Sequence, residues 1–518
     1  MNDGGPPRFD HVVVLMFENR SFDNLLGFLY RPGEVPAFEG VLHRSISNPV
    51  PRDIAAGGSA TVPVHPAVSL DTPDPDPGEE YPHINTQLYG SVAPPSNRFA
   101  KVDEMAPPFN APQDLGPPPS MDGFVADYIN TFRVELGRLP SYGEYAQIMS
   151  CFTPDQIPVF STLAREFACF DHWFCEVPSQ TYPNRSFFHA ASSSGLVLNA
   201  PPGSFATRND APTIFERLEA AGRSWKVYID PEQILPATGL IHARRLSKYF
   251  ATHFSTTFDF YHDANEGELP DYSFIEPNML HPHTDMHPPG AAKLRHELHL
   301  PPPRSMAGGE MLLARVYDAI RLSSSDRGSN FSNTLLLVTF DEHGGIHDHV
   351  PPPPAPPPGD TSLRQQDFAF DRSGVRVPTV AISAWVDRQT VVTKEYRSTS
   401  LITTLRQRWE LGPPLTARDA IAPDIAPILM RDTPRAQEEW PAVTARPVGL
   451  VSKLVSAVEH PLSRLEKDLV AEALALEAAS ENRAQEVDVE SLRRGEARGH
   501  LVRIQGKMFP GVAQGRTS

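Results

Sequence analysis

Apolar residues along this chain come in short unbroken runs rather than in strict alternation with polar ones. "HVVVLMF" (His11–Phe17) is a β-branched run without polar interruption, and "NTLLLVTF" (residues 333–340) and "RVPTVAISAWV" (residues 376–386) repeat the pattern. Such runs suit strands buried on both faces of a parallel sheet. Between them the period lengthens. "GGEMLLARVYDAIRLS" (residues 308–323) puts Met311, Leu312, Val316 and Ile320 on one stripe, and "STSLITTLRQRWEL" (residues 398–411) opens on a Ser or Thr cap and carries Leu401, Ile402, Leu405 and Trp409. "APTIFERLEAAGRSWKVYID" (residues 211–230) reads as helix, glycine stop, then strand. Strand and helix alternate, which predicts an α/β fold with a mostly parallel central sheet.

Two regions break this alternation. Residues 33–121 are rich in Pro, Asp, Asn and Gly and read as long loops laid over the sheet. From about Val448 the composition shifts again, and Leu462, Leu465, Leu469, Ala473 and Leu476 fall at helical spacing. We expect a main domain over residues 1–440 and a carboxy-terminal helical extension over 441–518, packed on the core or on a second copy. The run "PPPPAPPPG" (residues 351–359) is a stiff extended segment, read as a rigid loop framing a site in preference to a dock for a proline-binding domain.

Composition narrows the function. The 55 prolines in 518 residues are roughly twice the usual share, which fits long ordered loops. A net charge of −17 argues against a nucleic-acid surface and against docking on anionic lipid by charge alone. Three cysteines are too few for a disulfide framework. "MNDGGPPRFD" lacks the basic and apolar segments of a secretory signal, and no apolar run approaches the ~20 residues of a membrane span, so a soluble cytoplasmic protein is expected.

Titratable chemistry gathers at strand ends. The first strand runs into Glu18-Asn19 and the later one into Asp341-Glu342. In open parallel sheets, ligands bind outside the carboxyl ends of the strands. Three carboxylates and an amide oxygen meeting there would raise one another's pKa unless a cation sits between them. Oxygen-only ligation favours calcium, magnesium or manganese over zinc. One such pair alone reads as a helix cap or a solvent-facing turn; two pairs after two buried strands favour a metal. Thr181, in "CEVPSQTYPNRSFFHAASSSG", precedes a predicted helix, where backbone N–H groups suit an oxyanion or phosphate. From these residues alone an ordinary turn threonine is the simpler reading.

The motifs "VVVLMFENRSFDNLLGF", "TYPNR", "YSFIEPN", "DMHPP" and "TFDEHGGIHDHVPPP" occur in that order between Phe9 and Arg431. As an ordered set they resemble the bacterial phosphoesterase family, which includes phosphatidylcholine-hydrolysing phospholipases C, plant non-specific phospholipases C and an acid phosphatase branch. The resemblance implies an alkaline phosphatase-like α/β/α sandwich. It implies one divalent metal held by Glu18, Asn19, Asp341 and Glu342, with Thr181 as the metal-bound nucleophile. His287 would contact the phosphate or protonate the leaving oxygen, and His349 would be a second contact. Asn184 and Arg185 would shape the nucleophile turn at the substrate. His343 is a further substrate contact on this reading; a half-buried structural histidine is the plainer alternative for it and for His347.

Two positions depart from the family pattern. Many relatives carry a histidine after the Asp-Pro-Gly triplet where this chain has Glu79, leaving His83 as the candidate to fill that role from a shifted loop. Many also carry a histidine where Ser398 stands. The expected activity is that of a metal-dependent phosphoesterase working through a phosphothreonine, first of all a phospholipase C, because the nucleophile motif reads "TYPNR". Its partners would be a phospholipid or small phosphate ester, with peripheral contact to a lipid surface, no nucleic acid, and an open oligomeric state. An acid phosphatase-like monoesterase is the alternative. A catalytically degenerate interaction protein ranks below both, and a sulfatase- or phosphoglycerate mutase-like enzyme ranks last among the enzymes.

Overall fold

Eight strands form the central sheet of the computed structural model. They are β1 (His11–Phe17), β2 (Ala168–Phe170), β3 (Trp225–Ile229), β4 (Phe254–Thr256), β5 (Tyr272–Glu276), β6 (Thr334–Phe340), β7 (Thr379–Ile382) and β8 (Thr390–Val392). Their order is β8-β2-β7-β6-β1-β5-β3-β4. The structure describes residues 8–55, 58–112, 118–280, 283–289, 305–447 and 462–513. The composition shift at Val448 and residues 1–7 lie outside them.

β1 pairs in parallel with β5 and β6, and parallel pairing continues to β3 and β4. Six of the seven residues of β1 and all of β6 are buried, as their unbroken apolar runs require. Each fully buried Val or Leu contributes at most about 1.5–3 kcal/mol. β7 departs from expectation: it is buried, but antiparallel to both β6 and β2. Periodicity reports burial on both faces and carries no direction. The link from β6 to β7 holds only the short turn Gln365–Asp367, without the crossover helix that a parallel return needs. The class is mixed α/β with a large, mostly parallel sheet.

Six helices matter for the site and its surroundings: α1 (Tyr81–Tyr89), α2 (Thr181–Ala190), α3 (Ser305–Arg321), α4 (Ser400–Trp409), α5 (Arg464–Ser480) and α6 (Arg494–Met508). α3 begins at Ser305, three residues before the run over residues 308–323 that the periodicity marks. α1 lies inside the segment expected to be loop. Pro82 occupies the first turn of α1, where a missing N–H costs nothing, and Gly90 closes the helix in the left-handed region. Read as breakers, these residues hide the helix; read as its ends, they define it.

α5 packs on the core: Leu465, Leu469, Val470 and Leu474 belong to the main apolar cluster, and Phe509 stacks on Phe250 at 4.0 Å. The polyproline run is tied to the loop segment around Asp371, with Ala355 N donating to Asp371 O at 3.0 Å. It lines a cavity with Phe187, Leu363 and Phe370 beside the later turns of α2, rather than framing Thr181. Among the described residues no helix is long and apolar enough to cross a membrane.

Candidate active site

The parallel register sets Phe17 opposite Phe340, so the polar ends of β1 and β6 leave the sheet side by side. Asp341 N donates to Phe17 O at 3.2 Å, and Arg20 N donates to Glu342 O at 3.1 Å. One oxygen of Asp341 ties the two ends together: Oδ1 accepts from Asn19 N at 3.2 Å and from Glu342 N at 2.7 Å. Asn19 has φ 57°, a left-handed conformation that Asn tolerates better than most residues. Gly344 makes the close approach possible, because a Cβ there would lie 2.4 Å from Asn19 O.

Thr181 is the first residue of α2, and its hydroxyl donates to Glu18 Oε2 at 3.1 Å. Arg185 follows one turn later on the same helix face. Its Nε donates to Glu18 Oε1 at 2.9 Å and lies 3.5 Å from Asp341 Oδ2. Asn184 holds the entry to this helix: Nδ2 donates to Ser179 O at 2.7 Å, and Oδ1 accepts from Glu176 N and Val177 N at 3.0 Å. Both ends of its amide are spent on main chain, which gives it a scaffold position instead of a free face toward substrate. Glu18, Asn19, Thr181, Arg185, Asp341 and Glu342 are all buried.

This group is electrostatically incomplete. Burial pushes Glu18 well above the usual carboxylate range, Arg185 offsets part of that, and Asp341 adds to it. Glu342 is raised by burial, then by Glu79 and Asp341. Glu18 and Asp341 share the Arg185 guanidinium, and Glu342 adds a further buried acid beside them. Asn19 Oδ1, Asp341 Oδ2 and Glu342 Oε1 are buried without a hydrogen-bond partner among the described residues. Each such atom costs about 1–3 kcal/mol if left unpaired. Three oxygen donors in a buried group with more acids than bases fit a hard divalent cation. Glu18, Asn19, Asp341 and Glu342 are the residues that could hold it.

The remaining expected residues are distributed unevenly. His287 reaches the group: Nε2 is 3.0 Å from Asn19 Nδ2 and 3.7 Å from Asp76 Oδ2, while Nδ1 donates to Pro288 O at 2.7 Å. His343 stands behind Glu342, with Nε2 on Gln87 Oε1 at 3.0 Å; burial drives its pKa down to about 3, so the ring is neutral. His347 packs edge-on against Phe124 at 5.1 Å. Two expectations need correction. His349 faces Asp23 Oδ2 at 2.7 Å and Glu39 Oε1 at 3.1 Å, in a separate cluster around Arg376. His83 is turned to Asp127 Oδ1 at 2.8 Å, and it is not the residue that stands beside Asn19. Burial lowers its pKa, but Asp127 outweighs burial and raises it to about 9.

Glu79 stands there in its place. Asn19 Nδ2 donates to Glu79 Oε2, and Gln180 Nε2 lies 3.5 Å from Glu79 Oε1. Ligand-type atoms of Asp76, Glu79 and His287 lie within 4.8 Å of one another. The Asp-Pro-Gly triplet marked this loop in the sequence, but the residue after it was read only as a missing histidine. A second link was not legible at all. Asp468 of α5 accepts from Asn199 Nδ2 at 3.0 Å, and Asn199 Oδ1 accepts from Tyr182 N at 3.1 Å, in the first turn of α2. The carboxy-terminal helix therefore supports the turn that carries Thr181.

The non-specific phospholipase C6 of Arabidopsis thaliana is 32% identical over 427 residues, which are 79% of this chain and 70% of that protein. Non-specific phospholipase C1 of the same plant is 31% identical, over 89% of this chain and 80% of its own length. Phospholipase C B of Mycobacterium tuberculosis (strain ATCC 25618 / H37Rv) is 25% identical, with 80% and 76% covered. Among solved structures, the phosphonate monoester hydrolase of Agrobacterium radiobacter overlaps with a TM-score of 0.30 at 14% identity, covering 53% of this chain and 72% of that one. The family model described as "Phosphoesterase family" matches residues 9–412, nearly the whole sheet and every residue of the group above. The chain belongs to the Phosphoesterase family and is a hydrolase acting on phosphoric ester bonds.

Proposed function

We propose that the protein is a metal-dependent phospholipase C that cleaves the glycerol-side phosphodiester of phosphatidylcholine-like lipids. The observation that carries this reading is the Thr181 hydroxyl on Glu18, beside three partnerless oxygens of Asn19, Asp341 and Glu342. The relatives named phospholipase C support the substrate class. Glu18, Asn19, Asp341 and Glu342 would hold a divalent cation, which when bound would neutralise a phosphoryl oxygen and acidify a neighbouring hydroxyl.

The chain's own groups divide the remaining work. Thr181 Oγ gives its proton to Glu18 Oε2 and forms a bond to phosphorus as the bond to the glycerol oxygen breaks. Arg185 holds Glu18 in place. His287, when protonated, turns Nε2–H toward the departing oxygen, so diacylglycerol leaves as the neutral alcohol. Water then attacks the phosphothreonine and gives a proton to His287, the bond from phosphorus to Thr181 Oγ breaks as Oγ recovers its proton from Glu18, and phosphocholine leaves with Thr181 restored.

Thr181 and its neighbours lie deep, and that depth favours a second reading, a phosphomonoesterase for small esters. One assay separates the two. Protein supplied with manganese is incubated with phosphatidylcholine vesicles and with p-nitrophenyl phosphate, the products are identified by mass spectrometry, and Thr181→Ala is the control. Diacylglycerol and phosphocholine that vanish in the mutant support the phospholipase C. Hydrolysis of p-nitrophenyl phosphate alone moves the reading to a phosphatase. Turnover that survives in Thr181→Ala overturns the nucleophile.

A further inference from the structure

Asn19 is the one amide among the expected ligands, and an amide serves an oxygen site only if its oxygen, not its nitrogen, faces the cation. The structure holds that orientation from behind. Asn19 Nδ2 donates to Glu79 Oε2 and lies 3.0 Å from His287 Nε2. The His287 tautomer agrees with this, because Nδ1 is spent on Pro288 O at 2.7 Å and Nε2 is left as an acceptor. With both amide hydrogens committed, Oδ1 is the atom left without a partner, like Asp341 Oδ2 and Glu342 Oε1.

Glu79 is itself held in place: Gln180 Nε2 lies 3.5 Å from its Oε1, and its backbone N donates to Glu80 Oε2 at 3.3 Å. It is the carboxylate anchor of the amide.

We infer that Glu79 is a positioning residue: it fixes the Asn19 side chain with Oδ1 toward the cation, and so sets the affinity of the site. This rests on the metal reading of Glu18, Asn19, Asp341 and Glu342. It assigns Glu79 a task through Asn19 and no contact with the reacting atoms. Residues that orient metal ligands from behind typically cost about 10–100-fold in affinity when removed.

The test is calorimetric titration of the full chain with manganese(II), using wild type, Glu79→Ala, Glu79→Gln, Asn19→Ala and the Asn19→Ala/Glu79→Ala double variant. Glu79→Ala should weaken binding about 10–100-fold. Glu79→Gln retains an acceptor oxygen and should restore affinity to within about threefold of wild type, which a general loss of packing would not do. In the Asn19→Ala background, removing Glu79 should cost nothing further, because the two act as one unit. Wild-type affinity in Glu79→Ala overturns the inference, as does a full additive loss in the double variant. A second ion per chain that disappears with Glu79 also overturns it, making Glu79 a ligand together with Asp76 and His287. If wild type itself binds no ion, the metal reading falls before this one is reached.

Discussion

The stretches "ENRSFD" and "DEHGGIHDH" each feed two buried arginine–carboxylate clusters, and the two clusters are completed differently. In the first, Arg376 Nε meets Asp348 Oδ1 and Nη2 meets Asp23 Oδ1, both at 2.9 Å, while Nη1 donates to Asp171 O at 2.7 Å and Glu39 O at 3.0 Å. His349 takes the remaining Asp23 oxygen at 2.7 Å. Two carboxylates are balanced by one guanidinium and one imidazole, and none of their side-chain atoms is among the buried groups left without a partner. In the second, Arg185 faces Glu18 and Asp341 with Glu342 beside them, and three oxygens are left over. Acids of equal burial thus serve as a closed structural bolt in one place and an open cradle in the other. The ligand-type atoms of Asp23, Asp348 and His349 also lie within 4.8 Å, but the guanidinium already fills that space. Proximity of ligand atoms does not make a metal site; unmet oxygens do.

The contrast can be broken by mutation. Thr181→Ala should lower turnover by at least about 10³-fold with the thermal midpoint nearly unchanged, read by product assay and calorimetry. Arg376→Ala takes the guanidinium from two buried carboxylates, leaving Asp23 with His349 alone, and should cost about 3–5 kcal/mol of stability in denaturant titration, while manganese affinity of the folded fraction stays as in wild type. Manganese at a hundred times its dissociation constant should stabilise wild type by about 2.7 kcal/mol, and the gain should disappear in Asp341→Asn.

The pH dependence follows from the closed cluster. Burial pushes the Asp23 carboxyl up, but Arg376 and His349 outweigh it and hold it near 2, below its ordinary value. A depressed carboxylate contributes stability that is present above its unfolded pKa and lost as pH falls through its folded one. Stability should therefore drop between about pH 4 and pH 2, by roughly 2 kcal/mol from this group, and Asp23→Asn should flatten that limb. The smallest effect belongs to the rim. Arg498 pairs with Glu232 at 3.3 Å with both side chains about half exposed, so Arg498→Ala should change stability by less than about 1 kcal/mol.

How much of this was legible depends on which physical signal each element carries. β1 and β6 were readable because unbroken apolar runs occur in few other settings, and their acids could be placed because strand ends are where such sheets open. The direction of β7 was not readable, since burial is blind to polarity. Thr181, Arg185 and Glu18 meet through a helix face and a parallel register, and the family motifs pointed to them in order. His349 lies on Asp23 and Glu39 instead, and sequence spacing carries no signal for which buried acids a histidine will meet. Glu79 was passed over because a departure from a pattern was read as a loss. Asn199 and Asp468 left no local signal; their hydrogen bond joins residues far apart in sequence.

The central claim is that the Glu18–Asn19–Asp341–Glu342 group is the open cradle and the Arg376 cluster the closed bolt. Calorimetric titration of manganese(II) into Asp341→Asn and Asp348→Asn tests it directly. The account predicts that Asp341→Asn weakens binding by at least about 100-fold, while the folded fraction of Asp348→Asn binds as wild type does. Loss of binding in Asp348→Asn with full binding in Asp341→Asn would contradict it.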